Sequence, residues 1–453
     1  GRLYAGGGKV SAVIQVKETT SNNQYSLFQR DNLSRALMEL AKRYPFMRSV
    51  IREVEGVWSY VMDNTLTVPL YLRECEREDA WEQLIQHEMN SDYPMITEHE
   101  HALFYVHFVV VKLSQHVNQV TIIPCCNHAV VDGVSLTHII HELLACIVGT
   151  NPSIERVDQF NSNLVEHLKG AYPVLPKSAT GYNKPAKIDM MYRSEPEIHC
   201  PADTDQLPMA DDQTNYYFRE FDVASFQAKC RKEGVTLGST FLSVLALSAA
   251  QVSFTIHQQD KESLAIKSGL TLNARGHLLS GVVPDSQMGY FVGGCDVVNS
   301  IPTSITKGSP EEKTRFMVEQ AKQMGEEVKR KLSDKEAIVN ALLNRESFSD
   351  MIIQAMNAGV LSLKDTTLCC SNVGDVSKII STTYGSDSST LSVESIRMMS
   401  GISMWKTNAV YLSSMAGKLF AVFAFVNPPY TSVSDCEMFM DKVTENYNIL
   451  IQE

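Results

Sequence analysis

The sequence predicts a mixed α/β protein in two halves, and three observations predict it. At 453 residues the chain is too long for one ordinary core, so two domains of roughly 200 residues each are expected. Each half interleaves strand-like runs with amphipathic helical runs. Between about 170 and 212, Pro173, Pro176, Pro185, Pro196, Pro201 and Pro208 interrupt every pattern, which reads as a crossover. The expected division is a first domain at 1–175, a linker at 176–212 and a second domain at 213–453.

Taken in order, residues 10 to 17 read as a strand, and Asp31 to Arg43 as a helix with Leu33, Leu37, Leu40 and Ala41 at helical spacing. Met47 to Val61 forms two alternating runs around Glu55-Gly56, a hairpin. Ala80 to Met89 is a short amphipathic helix. Leu103 to Leu113 and Val117 to Pro124 are rich in β-branched residues and pair as central strands. In the second half, Asn215 to Phe221 is a strand, Asp222 opens a helix, and Ser239-Thr240 begins a longer helix, Phe241 to Gln251, apolar enough to be buried on most sides. Leu264 to Leu272 is a strand. Ser309-Pro310-Glu311-Glu312 starts a helix, with Pro in the first turn and carboxylates at its positive end, and helices continue with breaks to Met356. Strands at 367 to 373, 391 to 399, 408 to 414 and 419 to 426 precede a closing helix from Ser434. There is no sequence repeat.

A net charge of −12 argues against a nucleic-acid partner. No uninterrupted apolar stretch reaches membrane-spanning length, and the first residues resemble no secretory signal, so no transmembrane segment is expected. Ten scattered cysteines without a disulfide rhythm point to a reducing, cytoplasmic setting.

The chemistry is expected at Pro124-Cys125-Cys126-Asn127-His128-Ala129-Val130-Val131-Asp132-Gly133, a polar string between a strand and a helix whose Leu136, Ile139, Ile140, Leu143 and Leu144 share one face. A neutral imidazole leaving a rigid strand suits a catalytic base. Asp132 is placed to stabilise the turn into the helix without touching substrate, and Gly133 permits a backbone shape or close approach that a side chain would forbid. On these residues alone the string is equally an ordinary hydrogen-bonded histidine followed by a capping aspartate.

Other candidates are weaker. Cys125-Cys126-x-His128 has no second Cys or His pair at zinc spacing, so no metal is expected. His138 and His141 lie three apart on a helix face, Gly6-Gly7-Gly8-Lys9 lacks the rest of a phosphate loop, and Ser403-x-x-Lys406 falls between strands without partners.

Several separated motifs agree in order and spacing: His128-Ala129-Val130-Val131-Asp132-Gly133, Leu40 to Arg48, Gly234 to Leu242, Asn273-Ala274-Arg275, Gly289-Tyr290-Phe291-Val292-Gly293 and Ser371-Asn372-Val373-Gly374. With these the chain resembles the CoA-dependent acyltransferase superfamily, near its alcohol acetyltransferase and condensation-domain branches, over nearly its whole length. Condensation domains usually carry two adjacent histidines, and here the first position is Asn127, a substitution common in free-standing acyltransferases. The Asp-Phe-Gly-Trp-Gly signature of the plant acyltransferases is absent.

The resemblance implies two chloramphenicol-acetyltransferase-like domains, mixed sheets flanked by helices, forming a pseudo-dimer with a central tunnel. It implies transfer of an acyl group, acetyl by expectation, from acyl-CoA to a hydroxyl of a small-molecule acceptor, with His128 as general base. An amine acceptor, a carrier-protein thioester as donor, or an inactive binding protein of the same fold are the alternatives. Asp132 is expected to pair with Arg275 in the other half as a structural pin, and Ser371 and Asn372 to lie near the channel as oxyanion or substrate contacts. A monomer without metal is expected.

Overall fold

β-branched and aromatic residues fill Phe104–Ser114 and Val117–Asn127, which pair antiparallel from Phe104 opposite Cys126 to Ser114 opposite Val117. Lys9–Thr20 pairs antiparallel with the far side of Val117–Asn127, and Leu70–Cys75 lies parallel to Phe104–Ser114. Ser389–Ser400 and Thr383–Ser386 extend this sheet beyond Lys9–Thr20, giving six strands. A second six-stranded sheet runs in the order Thr214–Asp222, Lys418–Val426, Ala409–Met415, Leu368–Asp375, Ser263–Asn273 and Val292–Pro302, with parallel pairings on both sides of Leu368–Asp375. Ser49–Val54, Val57–Met62, Met95–Thr97 and Glu100–Ala102 form a smaller sheet. The computed structural model describes residues 8–20, 26–55, 57–91, 93–97, 100–150, 157, 197–199, 214–257, 261–277, 283–284, 287–334, 336–338, 360–362, 367–386, 389–401, 408–426 and 431–452.

Each sheet has its own core. Against the first lie Arg30–Arg43 and Gly133–Val148, whose Leu33, Leu37, Leu40, Leu136, Ile139, Leu143 and Leu144 are buried. Each such side chain contributes about 1.5–3 kcal/mol of burial. Against the second lie Leu237–His257, Pro310–Ser333 and Val433–Gln452. Pro310–Ser333 begins with a capping box, in which the Ser309 hydroxyl accepts from the Glu312 N–H while the Glu312 carboxylate accepts from the Ser309 N–H. A third cluster, including Trp81, Tyr105, Tyr216, Tyr411 and Val422, joins the two halves.

The mixed sheets flanked by helices are those expected, but several particulars differ. Residues 383–400 fall within the expected second domain, yet Ser389–Ser400 pairs with Lys9–Thr20 and finishes the first sheet. The middle of that sheet is accordingly Lys9–Thr20 beside Val117–Asn127 rather than the 103–113 and 117–124 pair. Val117–Asn127 runs past Pro124 to Asn127: the ladder to Lys9–Thr20 has no pair at Pro124, which has no N–H to give, and resumes at Cys125. Leu70–Cys75 and Val292–Pro302 are strands that the sequence reading did not assign. Most of the expected linker lies outside the described residues, as do the helices expected from 339 to 356, but Glu197–His199 pairs with Val360–Ser362. One helix bears on the expectation about membrane-length segments. Leu237–His257 is long and apolar enough to cross a membrane by length and composition, yet 78% of its apolar window is buried in the protein, as in a core helix.

Candidate active site

His128 leaves the end of Val117–Asn127, one residue beyond the ladder. Its N–H donates to the Gly8 carbonyl, and that carbonyl also accepts from the Tyr93 hydroxyl at 2.9 Å, so the turn is tied to the start of Lys9–Thr20. The ring is fixed from within the turn. Nδ1 lies 2.9 Å from the Val131 carbonyl, which can only accept, so the Nδ1 proton is donated there and Nε2 keeps its lone pair. Burial lowers the imidazole pKa below the usual histidine value, against opposing pulls from the Val131 bond and the Asp132 charge. The side chain is half-buried, and a neutral, oriented imidazole of this kind can take a proton.

Asp132 is 2% exposed and serves two elements at once. As the cap of Gly133–Val148 its Oδ1 accepts from the Ser135 N–H at 2.8 Å. From the other half of the chain, Arg275 forks onto it, Nη1 to Oδ2 at 2.7 Å and Nη2 to Oδ1 at 3.1 Å, and the Phe291 N–H donates to Oδ2 at 2.9 Å. Arg275, 1% exposed, also donates to the Ser135 hydroxyl at 2.8 Å and the Gln287 carbonyl at 3.1 Å, with its guanidinium over the Phe291 ring. The pairing implied between Asp132 and Arg275 is therefore made. Asn273 of the same motif accepts from the Arg275 N–H at 3.1 Å.

Two glycines allow this closeness. Gly289 has φ +155°, and a Cβ there would stand 2.5 Å from the Phe291 ring. At Gly133 a Cβ would come within 3.0 Å of the Val373 side chain, so of the two roles open to this glycine the second, close approach, is the one observed. That approach brings Val373, of the string Ser371-Asn372-Val373-Gly374, against the start of the Gly133–Val148 helix. The strand expected at 367 to 373 runs on past these four residues to Asp375. They lie inside Leu368–Asp375, with a register shift between Asn372 and Gly374 and Gly374 at φ +86°. Ser371 Oγ lies 2.8 Å from the Thr271 hydroxyl that donates to it, and the Asn372 side-chain oxygen accepts from the Gly374 N–H at 2.8 Å.

Tyr290, between the two backbone groups that brace Asp132, stands edge-to-face on the His128 ring with centroids 5.3 Å apart. The sequence reading held it only as one letter of a motif, and it passed over Ser135, although a hydroxyl three residues after a capping aspartate was available as a signal. Cys125 and Cys126 are buried, and burial pushes the Cys125 thiol up to about 11 and raises Cys126 too, which disfavours the thiolates a metal would need. Among the described residues no group of three or more His, Cys, Asp or Glu could hold a metal ion. His141 is hydrogen-bonded to the Tyr384 hydroxyl at 2.8 Å. Gly6, Gly7, Ser403 and Lys406 lie outside the described residues.

No protein-family model matches the chain, and the comparison with curated proteins finds no match. Solved structures do match. The trichothecene 15-O-acetyltransferase of Fusarium sporotrichioides superposes with a TM-score of 0.68 at 12% identity, over 98% of this chain and 92% of that one. The starter condensation domain of rhizomide synthetase, in complex with C8-CoA, gives 0.64 at 8% identity, over 100% and 92%. The condensation domain of the Monacolin K polyketide synthase gives 0.61 at 11%, over 98% and 91%. At these identities the likeness is one of fold, a two-lobed α/β architecture found in acetyltransferases and condensation domains alike.

Proposed function

We propose, on the premise of that shared fold, that the protein transfers an acyl group, acetyl first among candidates, from acyl-CoA to a hydroxyl of a small-molecule acceptor. The observation that carries this reading is His128: Nδ1 is committed to the Val131 carbonyl, Nε2 keeps its lone pair, and burial holds the ring neutral. In the step proposed, Nε2 takes the proton of the acceptor hydroxyl as its oxygen bonds to the thioester carbonyl carbon. Collapse of the tetrahedral adduct breaks the carbon–sulfur bond, and the proton passes from Nε2 to the departing CoA sulfur. No covalent acyl-enzyme is needed.

In the same reading Asp132, Gly133 and Arg275 hold the turn and contact no substrate, while Ser371 and Asn372 are candidates for donors to the developing oxyanion in a channel between the two halves. A carrier-protein thioester is the second reading for the donor, favoured by the likeness to condensation domains as much as to the acetyltransferase. A reducing, cytoplasmic setting, expected from the scattered cysteines, belongs to the same reading. The test is to incubate the protein with acetyl-CoA and a panel of alcohols and amines and to follow free thiol, with His128→Ala beside the wild type. Thiol release that needs both an alcohol and His128 is expected; equal release by His128→Ala overturns the mechanism.

A further inference from the structure

The loop that braces Asp132 also carries a side chain that the transfer chemistry above leaves unused. The Gly289 carbonyl accepts from the Asp132 N–H at 3.2 Å and from the Ser135 hydroxyl at 3.1 Å, while the Phe291 N–H donates to Asp132 and the Phe291 carbonyl accepts from the Ala274 N–H at 2.9 Å. Tyr290 stands between these anchors. Its backbone is fixed on both sides, so the same pin that holds the His128 turn also sets the Tyr290 ring at 76° to the imidazole. The side chain is nonetheless 37% exposed, and among the described residues its hydroxyl has no hydrogen-bond partner. A large aromatic held rigidly beside a half-buried base, with an unspent donor, has the form of a ligand contact rather than of core packing.

We infer that Tyr290 is a substrate-contacting residue: its ring walls one side of His128, and its hydroxyl donates a hydrogen bond to the acyl acceptor. The inference rests on His128 acting as the base. It deepens that reading by specifying the acceptor, which carries, besides the reacting hydroxyl, an oxygen able to accept from a phenol, as in a diol or a hydroxy-carbonyl compound. Desolvation by its neighbours and the nearby Asp132 charge push the phenol up to about 12, so it remains a donor throughout the neutral range.

The experiment compares wild type, Tyr290→Phe and His128→Ala, each with acetyl-CoA and the same alcohol panel extended by diols and hydroxy-ketones. Tyr290→Phe keeps the ring and removes one oxygen, so folding should be preserved, and thermal denaturation checks this. For the acceptor that the wild type uses best, kcat/KM should fall about five- to tenfold, the worth of one neutral hydrogen bond, with the acetyl-CoA KM unchanged. The preference for acceptors with a second oxygen over simple alcohols should shrink by the same factor. An inactive His128→Ala beside a Tyr290→Phe with wild-type kcat/KM overturns the inference alone. A His128→Ala as active as wild type, or a wild type that releases no thiol with any acceptor, overturns the base reading and the inference with it.

Discussion

The same arrangement of strands and helix occurs once in each half of the molecule, and only one copy carries an imidazole. In the first, Phe104–Ser114 and Val117–Asn127 form a hairpin that feeds Gly133–Val148. In the second, Ala409–Met415 and Lys418–Val426 form a hairpin followed by Val433–Gln452. The surroundings correspond as well: the earlier strand of each hairpin is parallel to a neighbour, Leu70–Cys75 or Leu368–Asp375, and the later one antiparallel to another, Lys9–Thr20 or Thr214–Asp222. At the first helix start, Asp132 reaches across to Arg275 and Phe291. At the second, buried Asp435 accepts from the Ser432 hydroxyl at 2.6 Å, only three residues back. The architecture thus supplies a strand-to-helix junction in each sheet, and the chemistry depends on which residues stand in it.

The largest expected difference between the junctions is kinetic. His128→Ala should lower turnover about 10² to 10⁴-fold, the usual contribution of a general base. Because burial depresses the His128 pKa, the base is neutral above that value and lost as pH falls through it, so the acid limb of kcat/KM in the wild type should lie below 6.5. An acid limb above 6.5 would contradict the neutral, buried imidazole. Next comes the pin: Asp132→Ala and Arg275→Ala should each cost about 3–5 kcal/mol in denaturant unfolding, since each leaves a buried charge uncompensated. The double variant should lose much less than the sum, and simple additivity would show that the two side chains act independently. Ser371→Ala and Asn372→Ala should reduce turnover about 10² to 10³-fold if either donates to the oxyanion, with stability little changed. Unchanged turnover in both would leave these residues a structural bulge. The smallest effect belongs to the silent junction, where Ser432→Ala should cost about 1 kcal/mol of stability through the lost contact to the Asp435 N–H and leave turnover as it was.

How much of this was legible in the sequence follows from how local each signal is. The turn holding His128 was readable because a β-branched run precedes it and a helical stripe follows, both patterns of a few residues. The contact of Asp132 with Arg275, 143 residues away, has no local signature, and only the family resemblance pointed to it. Periodicity found the 391–399 strand but not its sheet, since alternation marks a buried face without naming the neighbour. Val292–Pro302 went unassigned because Gly293-Gly294 breaks its pattern, although it pairs with the whole of Ser263–Asn273. The recurrence of the two junctions is topological, so residue-by-residue comparison of the halves does not reveal it. Tyr290 stands in a Gly-Tyr-Phe string as one letter of a motif until Gly289 and Phe291 are seen to anchor it beside His128.

The strand borrowed from the far end of the chain sets a schedule for biosynthesis. Val10 finds Ser400, and Ile14 finds Ile396, only after the intervening residues, from Val16 to Val393 and beyond, have been made. At roughly 5–20 residues per second, Lys9–Thr20 waits on the order of tens of seconds with one side unpaired on a nascent chain. During that interval the growing protein presents an open edge of unpaired backbone N–H and C=O groups, of the kind that recruits other chains. A chain whose synthesis halted before Ser389 would therefore be an aggregation-prone fragment, not a working half.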